Sequence, residues 1–247
     1  MPQAKRTALI TGAGRNIGRA IALALARDGF NIVANGSKNR EACAAVAREA
    51  EAAGVSALVV MGDVGNAADC QRIAAEALAK FGTVDVLINN AAVRPHGGFL
   101  ELADADWERV MAVDFYAAVR LSRAVLPGMI GKGWGRIVNF SGMNAMQGHL
   151  GRPHVAAAKH AALGLTKALA KEFASKGITA NMISPGIIQS ERDDPAMRER
   201  VLKEVAHVAA QRQGKAEEIA AVVAMLASDG GGYVNGQLIP VNGAGTV

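Results

Sequence analysis

Short apolar, β-branched runs alternate along the whole chain with longer Ala-rich stretches of helical period. The strand-like runs cover residues 7–11, 30–35, 57–61, 84–89, 136–140, 179–183 and 237–241. Most are apolar almost without polar alternation, as in parallel strands covered on both faces. Helical spacing marks 17–27, 40–53, 67–81, 104–130 and 153–176, with two shorter stretches near 195–210 and 215–227. Strand and helix in this order predict βαβ units. The expected fold is therefore an α/β, Rossmann-type, doubly wound parallel sheet of about seven strands with helices on both faces.

Local signals refine the boundaries. Asp104 suits a helix cap with Trp107 packing one turn in, Pro195 suits a first helical turn, and Gly177 suits a helix end. The stretch 141–152 reads as a Gly- and Met-rich loop carrying His149, at the carboxyl end of the sheet where such folds bind ligands. No linker or shift in composition interrupts the pattern, so one domain is expected over 1–247.

Composition adds exclusions. With 51% hydrophobic residues, a sizeable core needs neither disulfide nor metal. Cys43 and Cys70 lack CxxC or metal-ligand spacing, so no metal site and a reduced, cytoplasmic setting are expected. No apolar run approaches the roughly 20 residues that span a bilayer. Residues 1–6 and the run after them resemble a signal peptide only superficially. The run meets Thr11-Gly12 too soon for such a leader, and a buried first strand is expected instead. The net charge of +5 is spread along the chain, and 4% aromatic residues are poor material for base stacking, which argues against a nucleic-acid partner. The positive balance mildly favours a phosphorylated cofactor.

The strongest motif is Thr11-Gly12-Ala13-Gly14-Arg15-Asn16-Ile17-Gly18, between the first strand and the first helix. Glycines there let the backbone turn sharply and approach a pyrophosphate seated on the helix N-terminus. The spacing resembles the TGxxxGxG of the short-chain dehydrogenase/reductase family, including its 3-oxoacyl-ACP reductase-like members, with Asn16 at a usual glycine. Further resemblances follow in order: Asp63-Val64, which in the family contacts adenine, and Asn89-Asn90-Ala91-Ala92, like the NNAG that lines the adenosine pocket. Ser184-Pro185-Gly186-Ile187-Ile188-Gln189-Ser190 resembles PGxxxT, with Ser190 keeping a hydroxyl near the nicotinamide carboxamide. Tyr233-Val234-Asn235-Gly236-Gln237 matches the entry to the last strand. The resemblance thus spans nearly the whole chain and implies a nicotinamide cofactor. It also implies a homotetramer built through the helices at 104–130 and 153–176.

Cofactor choice has an electrostatic argument. An acid ending the second strand would bond a ribose 2′-hydroxyl and repel a 2′-phosphate. Here the stretch is Asn35-Gly36-Ser37-Lys38, without a carboxylate, and Ser37, Lys38 and Arg15 are available to a phosphate. NADP is expected ahead of NAD.

The family's Tyr-x-x-x-Lys pair lies on one helix face, with the lysine holding the ribose and lowering the phenol pKa. Lys159 fits, inside Ala158-Lys159-His160, but Val155 stands at the tyrosine position. Gly142 occupies the usual serine place with Ser141 one residue short, and Asp114 occupies the asparagine place. The candidate substitutes are His149 on its loop, Asp114 beside Lys159, and His154, which a helix turns roughly 100° away from Val155. Arg94 and His96 follow the Asn89-Asn90 segment at the family's substrate border, where they would suit an anionic small molecule.

Three functions follow. The first is an NADP(H)-dependent oxidoreductase for a small alcohol or carbonyl. The second is a cofactor-retaining lyase, hydratase or dehalogenase using His149, Asp114 or Lys159. The third is a catalytically inactive dinucleotide-binding protein.

Overall fold

The seven strands form and pair, all in parallel, in the order β3-β2-β1-β4-β5-β6-β7. They are β1 (Thr7–Ile10), β2 (Asn31–Gly36), β3 (Ala57–Met61), β4 (Val86–Asn89), β5 (Gly135–Phe140), β6 (Ile178–Pro185) and β7 (Leu238–Val241). This is a computed structural model, and it describes residues 5–190 and 201–246.

Alternate side chains of each strand feed two cores. Ala8, Ile10, Ile32 and Ala34 pack against α1 (Asn16–Arg27), α2 (Arg40–Ala52) and α8 (Ala216–Ala227). Leu9, Val33, Leu87 and Ile137 pack against α3 (Ala67–Phe81), α5 (Ala117–Lys132) and α7 (Pro153–Phe173). Coverage on both faces is why the strands read as continuous apolar runs. The strand order reverses between β1 and β4, so the crevice outside their carboxyl ends is the ligand-binding position of this architecture.

Strand and helix ends shift from the sequence pattern by about one or two residues, as helix and strand ends usually do. Larger differences have local causes. The helix expected over 104–130 is interrupted: α4 (Asp104–Met111) and α5 are joined by a π-helical turn at Ala112–Tyr116. Such turns are common at functional sites. Asp104 does not cap α4. Ala103 is the capping position, and the Asp106 carboxylate accepts from its N–H at 3.1 Å. The stretch 141–152 is not wholly a loop, because Met143–Gln147 forms the short helix α6. Gly177 follows the 3₁₀ turn Ala174–Lys176 and ends that extension of α7, as the sequence predicts.

Of the helix expected over 195–210, residues 201–205 are helical and 206–210 turn, while Pro195 lies outside the described residues. Both cysteines are buried and free. Among the described residues, no helix is long and apolar enough to cross a membrane, and no His/Cys/Asp/Glu group is arranged to hold a metal ion.

Candidate functional site

At the switch point, the Thr11 hydroxyl ties β1 to β4. It donates to the Ile88 carbonyl at 3.2 Å and accepts from the N–H groups of Asn90 and Ala91 at 3.0 Å each. Asn90 Nδ2 then donates to the carbonyls of Thr11 at 2.9 Å and Gly12 at 3.2 Å. The Asn89-Asn90-Ala91-Ala92 segment is therefore a brace for the glycine loop, with Asn90 holding its shape through backbone bonds.

Gly12 has φ +65°, a left-handed conformation open to glycine without strain. Asn16 opens α1 at φ 48°, and asparagine is one of the few other residues that enter that region, so the departure from glycine is tolerated. A Cβ on Gly18 would collide with the Gly12 carbonyl oxygen and lie 2.8 Å from Asn90 Nδ2. Arg15 gives the α1 N-terminus no side-chain cap and its first turn carries no acid, a setting whose positive end suits an anion. This cradle fits a dinucleotide pyrophosphate.

The exit of β2 carries no carboxylate. Asn35 is buried and donates to the carbonyls of Val60 at 3.0 Å and Gly62 at 3.2 Å. Gly36 ends the strand, and Ser37, Lys38 and Arg15 are exposed. Asp63, read as an adenine contact, has its carboxylate engaged by Arg109 at 2.8 Å and by the Gly65 N–H at 2.9 Å. Partial burial works against ionisation there, but the Arg109 and Gly65 hydrogen bonds outweigh it and hold the carboxyl below its usual range. Val64 is buried. At the far side, Gly186 lies against Asn242, and Ile188 bridges to Gly214, so the segment after Pro185 is fastened to the loop before α8. Ser190, exposed, ends the first described stretch of chain.

The catalytic positions give a different picture. The π turn carries Asp114, whose Oδ1 accepts from the Val93 N–H at 2.9 Å. Its Oδ2 stands 3.1 Å from Lys159 Nζ on α7, and both side chains are almost fully buried. Burial pushes the Lys159 ammonium below its ordinary pKa. Asp114 resists that shift and the Arg94 charge adds to it. Asp114 and Lys159 therefore form a buried ion pair.

Val155 is buried beside Val110, Ala145 and Ala158 as a small apolar wall. At Gly142, by contrast, an added Cβ would meet nothing within 4 Å among the described residues outside its chain neighbours. Next to it, the Ser141 N–H continues β5–β6 pairing to Ile183 O at 2.8 Å, and its side chain is buried with Oγ lacking a hydrogen-bond partner among the described residues.

The histidines separate. His154 is fully buried, its ring 5.8 Å from that of Trp107 on α4. Burial keeps its pKa down, against the pull of Asp106 and Asp114. It takes part in the α4–α7 contact, and neither ring nitrogen has a hydrogen-bond partner among the described residues. His149 Nδ1 lies 2.7 Å from Leu150 O, which assigns the proton to Nδ1 and leaves Nε2 as acceptor in the neutral ring. Its loop is bonded to the Arg94–Gly98 segment through Gly97 N–H and Gly151 O at 2.9 Å, with His96 packed on Gly151.

Two features escaped the sequence. One is a buried chain in which Asn89 donates to Asn139 at 2.8 Å, Asn139 to Thr166 at 2.9 Å, and Thr166 to the Ala162 carbonyl at 2.7 Å. It locks β4, β5 and α7 together. The other is the Arg109–Asp63 pair, which no local pattern announces.

A dinucleotide cradle at the switch point of a doubly wound sheet, together with a buried lysine on α7, fits the class of nicotinamide-dependent oxidoreductases. The model of the short-chain dehydrogenase family matches residues 6–201, and the chain belongs to that family. It is 38% identical over 240 residues to nodulation protein G of Azospirillum brasilense, covering 97% of each chain. It is 34% identical over 238 residues to a 3-oxoacyl-[acyl-carrier-protein] reductase of Staphylococcus aureus, covering 96% of this chain and 97% of that one. Among solved structures, a blue fluorescent protein from a metagenomic library, in complex with NADPH, matches with a TM-score of 0.92 and 34% identity over 98% of each chain.

Proposed function

We propose that this chain is an NADP(H)-dependent oxidoreductase for a small carbonyl or alcohol, with Lys159 and Asp114 as its proton-handling pair. The observation that carries the reading is the buried Lys159–Asp114 contact at 3.1 Å, where the neighbouring phenol and hydroxyl positions are Val155 and Gly142. When bound, the nicotinamide supplies or accepts the hydride. Lys159 then gives the proton to the developing substrate oxygen, and its lowered pKa makes it a stronger acid than an ordinary lysine. Asp114, fixed by the Val93 N–H, holds that ammonium in place. Arg94, exposed and close enough to act on Lys159 electrostatically, suits an anionic substrate, with His96 two residues on.

NADP is favoured because β2 ends on Gly36 with exposed Ser37, Lys38 and Arg15 instead of an acid. The double variant Arg15→Ala/Lys38→Ala is expected to weaken NADPH binding about tenfold or more while moving NADH less, since a phosphate loses charge-assisted bonds that a hydroxyl never made. Fluorescence titration with both coenzymes reads this directly. A parent that binds NADH more tightly than NADPH removes the assignment.

Incubation with NADPH or NADP and a panel of carbonyls and alcohols tests the reaction, followed by nicotinamide absorbance and product analysis. Net coenzyme turnover is expected. A specific observation favours a second reading, a lyase- or hydratase-type reaction: the family's tyrosine position, Val155, belongs to an apolar wall. Substrate conversion without net coenzyme change supports that reading, and tight binding with no conversion leaves only a binding protein. The free space at Gly142 also makes Gly142→Ser/Val155→Tyr a practical companion variant. It is expected to raise reductase turnover, because it adds both a hydroxyl and a phenol next to the retained lysine.

A further inference from the structure

Cys43 has no part in the chemistry above, yet it stands where cofactor choice is made. It lies in the first turn of α2, whose start is fixed by the Asn39 side chain accepting from the Ala42 N–H at 3.0 Å. The thiol is buried in the core that includes Ala13, Ala34 and Val46. A Cβ on Gly36 would lie 2.6 Å from Cys43 Sγ, and a Cβ on Gly14 would lie 3.2 Å from it. Sγ is thus wedged between the glycine loop and the exit of β2. Among the described residues outside its chain neighbours, the other atom within 4 Å of a Cβ at position 36 is Met61 Cε, at an ordinary contact distance of 3.9 Å, so the close contact there is with the sulfur.

Gly36 ends β2, where a carboxylate would bond the ribose 2′-hydroxyl of NAD. We propose that Cys43 is a specificity-determining residue: its thiol fills the space that any side chain at position 36 needs, so selection of the phosphorylated cofactor is a property of the Cys43–Gly36 pair. The inference rests on the NADP reading above. A thiol has a single torsion, and in close-packed surroundings an added methyl is absorbed only by displacing neighbours. Here the neighbour on the opposite side is Gly14 of the cofactor loop, so a side chain at 36 disturbs the cradle itself. Burial raises the Cys43 pKa against the nearby Arg40 charge, consistent with a neutral space-filler.

The test measures dissociation constants for NADPH and NADH, together with melting temperature, on the full chain. Gly36→Ala is expected to lower the melting temperature and weaken NADPH binding about tenfold. Adding Cys43→Ala to it is expected to restore both to within about threefold, or a few degrees, of the Cys43→Ala single variant. Gly36→Asp alone is expected to bind both coenzymes poorly, whereas Gly36→Asp/Cys43→Ala reverses the preference to NADH by about tenfold or more. The proposal is overturned if Gly36→Ala is neutral, or if Gly36→Asp alone already switches to NADH at full affinity. It also falls if removing the thiol rescues nothing. A parent that prefers NADH overturns the cofactor reading instead, and the Gly36→Ala rescue still decides the packing claim on its own.

Discussion

Gly18→Ala is expected to abolish dinucleotide binding and to lower stability by about 3 kcal/mol, the upper end of the range for overpacking. The reason is the partner in the collision. The new methyl would strike the Gly12 carbonyl oxygen, which is backbone and cannot rotate away, and would press on the Asn90 amide that braces the same loop. Relief requires the glycine loop to move off β4, which breaks the Asn90 bonds to Thr11 and Gly12 and dissolves the cradle. For a chain of this size the melting temperature should fall by roughly 6–12 °C. NADPH titration should show no saturable binding. Gly164→Ala is the control: an added Cβ there meets nothing within 4 Å, and alanine in a helix is neutral or stabilising by up to about 1 kcal/mol. If both variants melt and bind alike, the close approach at Gly18 is not a determinant of the site.

Removing Lys159 carries the second large effect, and it separates stability from catalysis. Lys159→Met leaves the Asp114 carboxylate buried with only the Val93 N–H, a situation that typically costs about 3–5 kcal/mol. Turnover should fall about 10²–10⁴-fold, the usual worth of a positioned acid–base group. Lys159→Met/Asp114→Leu should recover most of the stability, because no uncompensated charge is left, and none of the activity. A double variant that regains turnover would exclude the pair from the chemistry.

The pH dependence has a definite sign. The folded Lys159 pKa is below the ordinary 10.5, so between the two values the unfolded chain binds one more proton than the folded one. The Lys159 contribution therefore disfavours the fold below its depressed pKa and is relieved as pH rises toward 10.5. Denaturant titrations across that window should show stability rising with pH in the parent and a flatter course in Lys159→Met. For reduction, turnover should decline as pH rises through the same depressed pKa. Asp114 opposes the depression, so Asp114→Asn should move that decline to lower pH.

Much of this molecule was legible in the order of its residues. Mostly apolar runs at 7–11, 57–61 and 136–140 meant strands covered on both faces, and the alternation with helices meant a parallel sheet, because both are local patterns. The glycine motif and Lys159 were equally plain, since a tight turn and a helical spacing are written in consecutive residues. Val155 and Gly142 could be read as departures from the family pattern for the same reason.

The tertiary structure decided what depends on residues distant in the chain. It assigned Asn90 to bracing Thr11 and Gly12, engaged Asp63 with Arg109, and linked β4, β5 and α7 through Asn89, Asn139 and Thr166. It turned a single long helix into two joined by the π turn that carries Asp114 to Lys159. It also drew His154 into the α4–α7 contact and brought Cys43 against Gly36. None of these follows from periodicity, which fixes the face on which a side chain lies. Which distant atom it meets is set by the packing of whole elements, and only folding decides that.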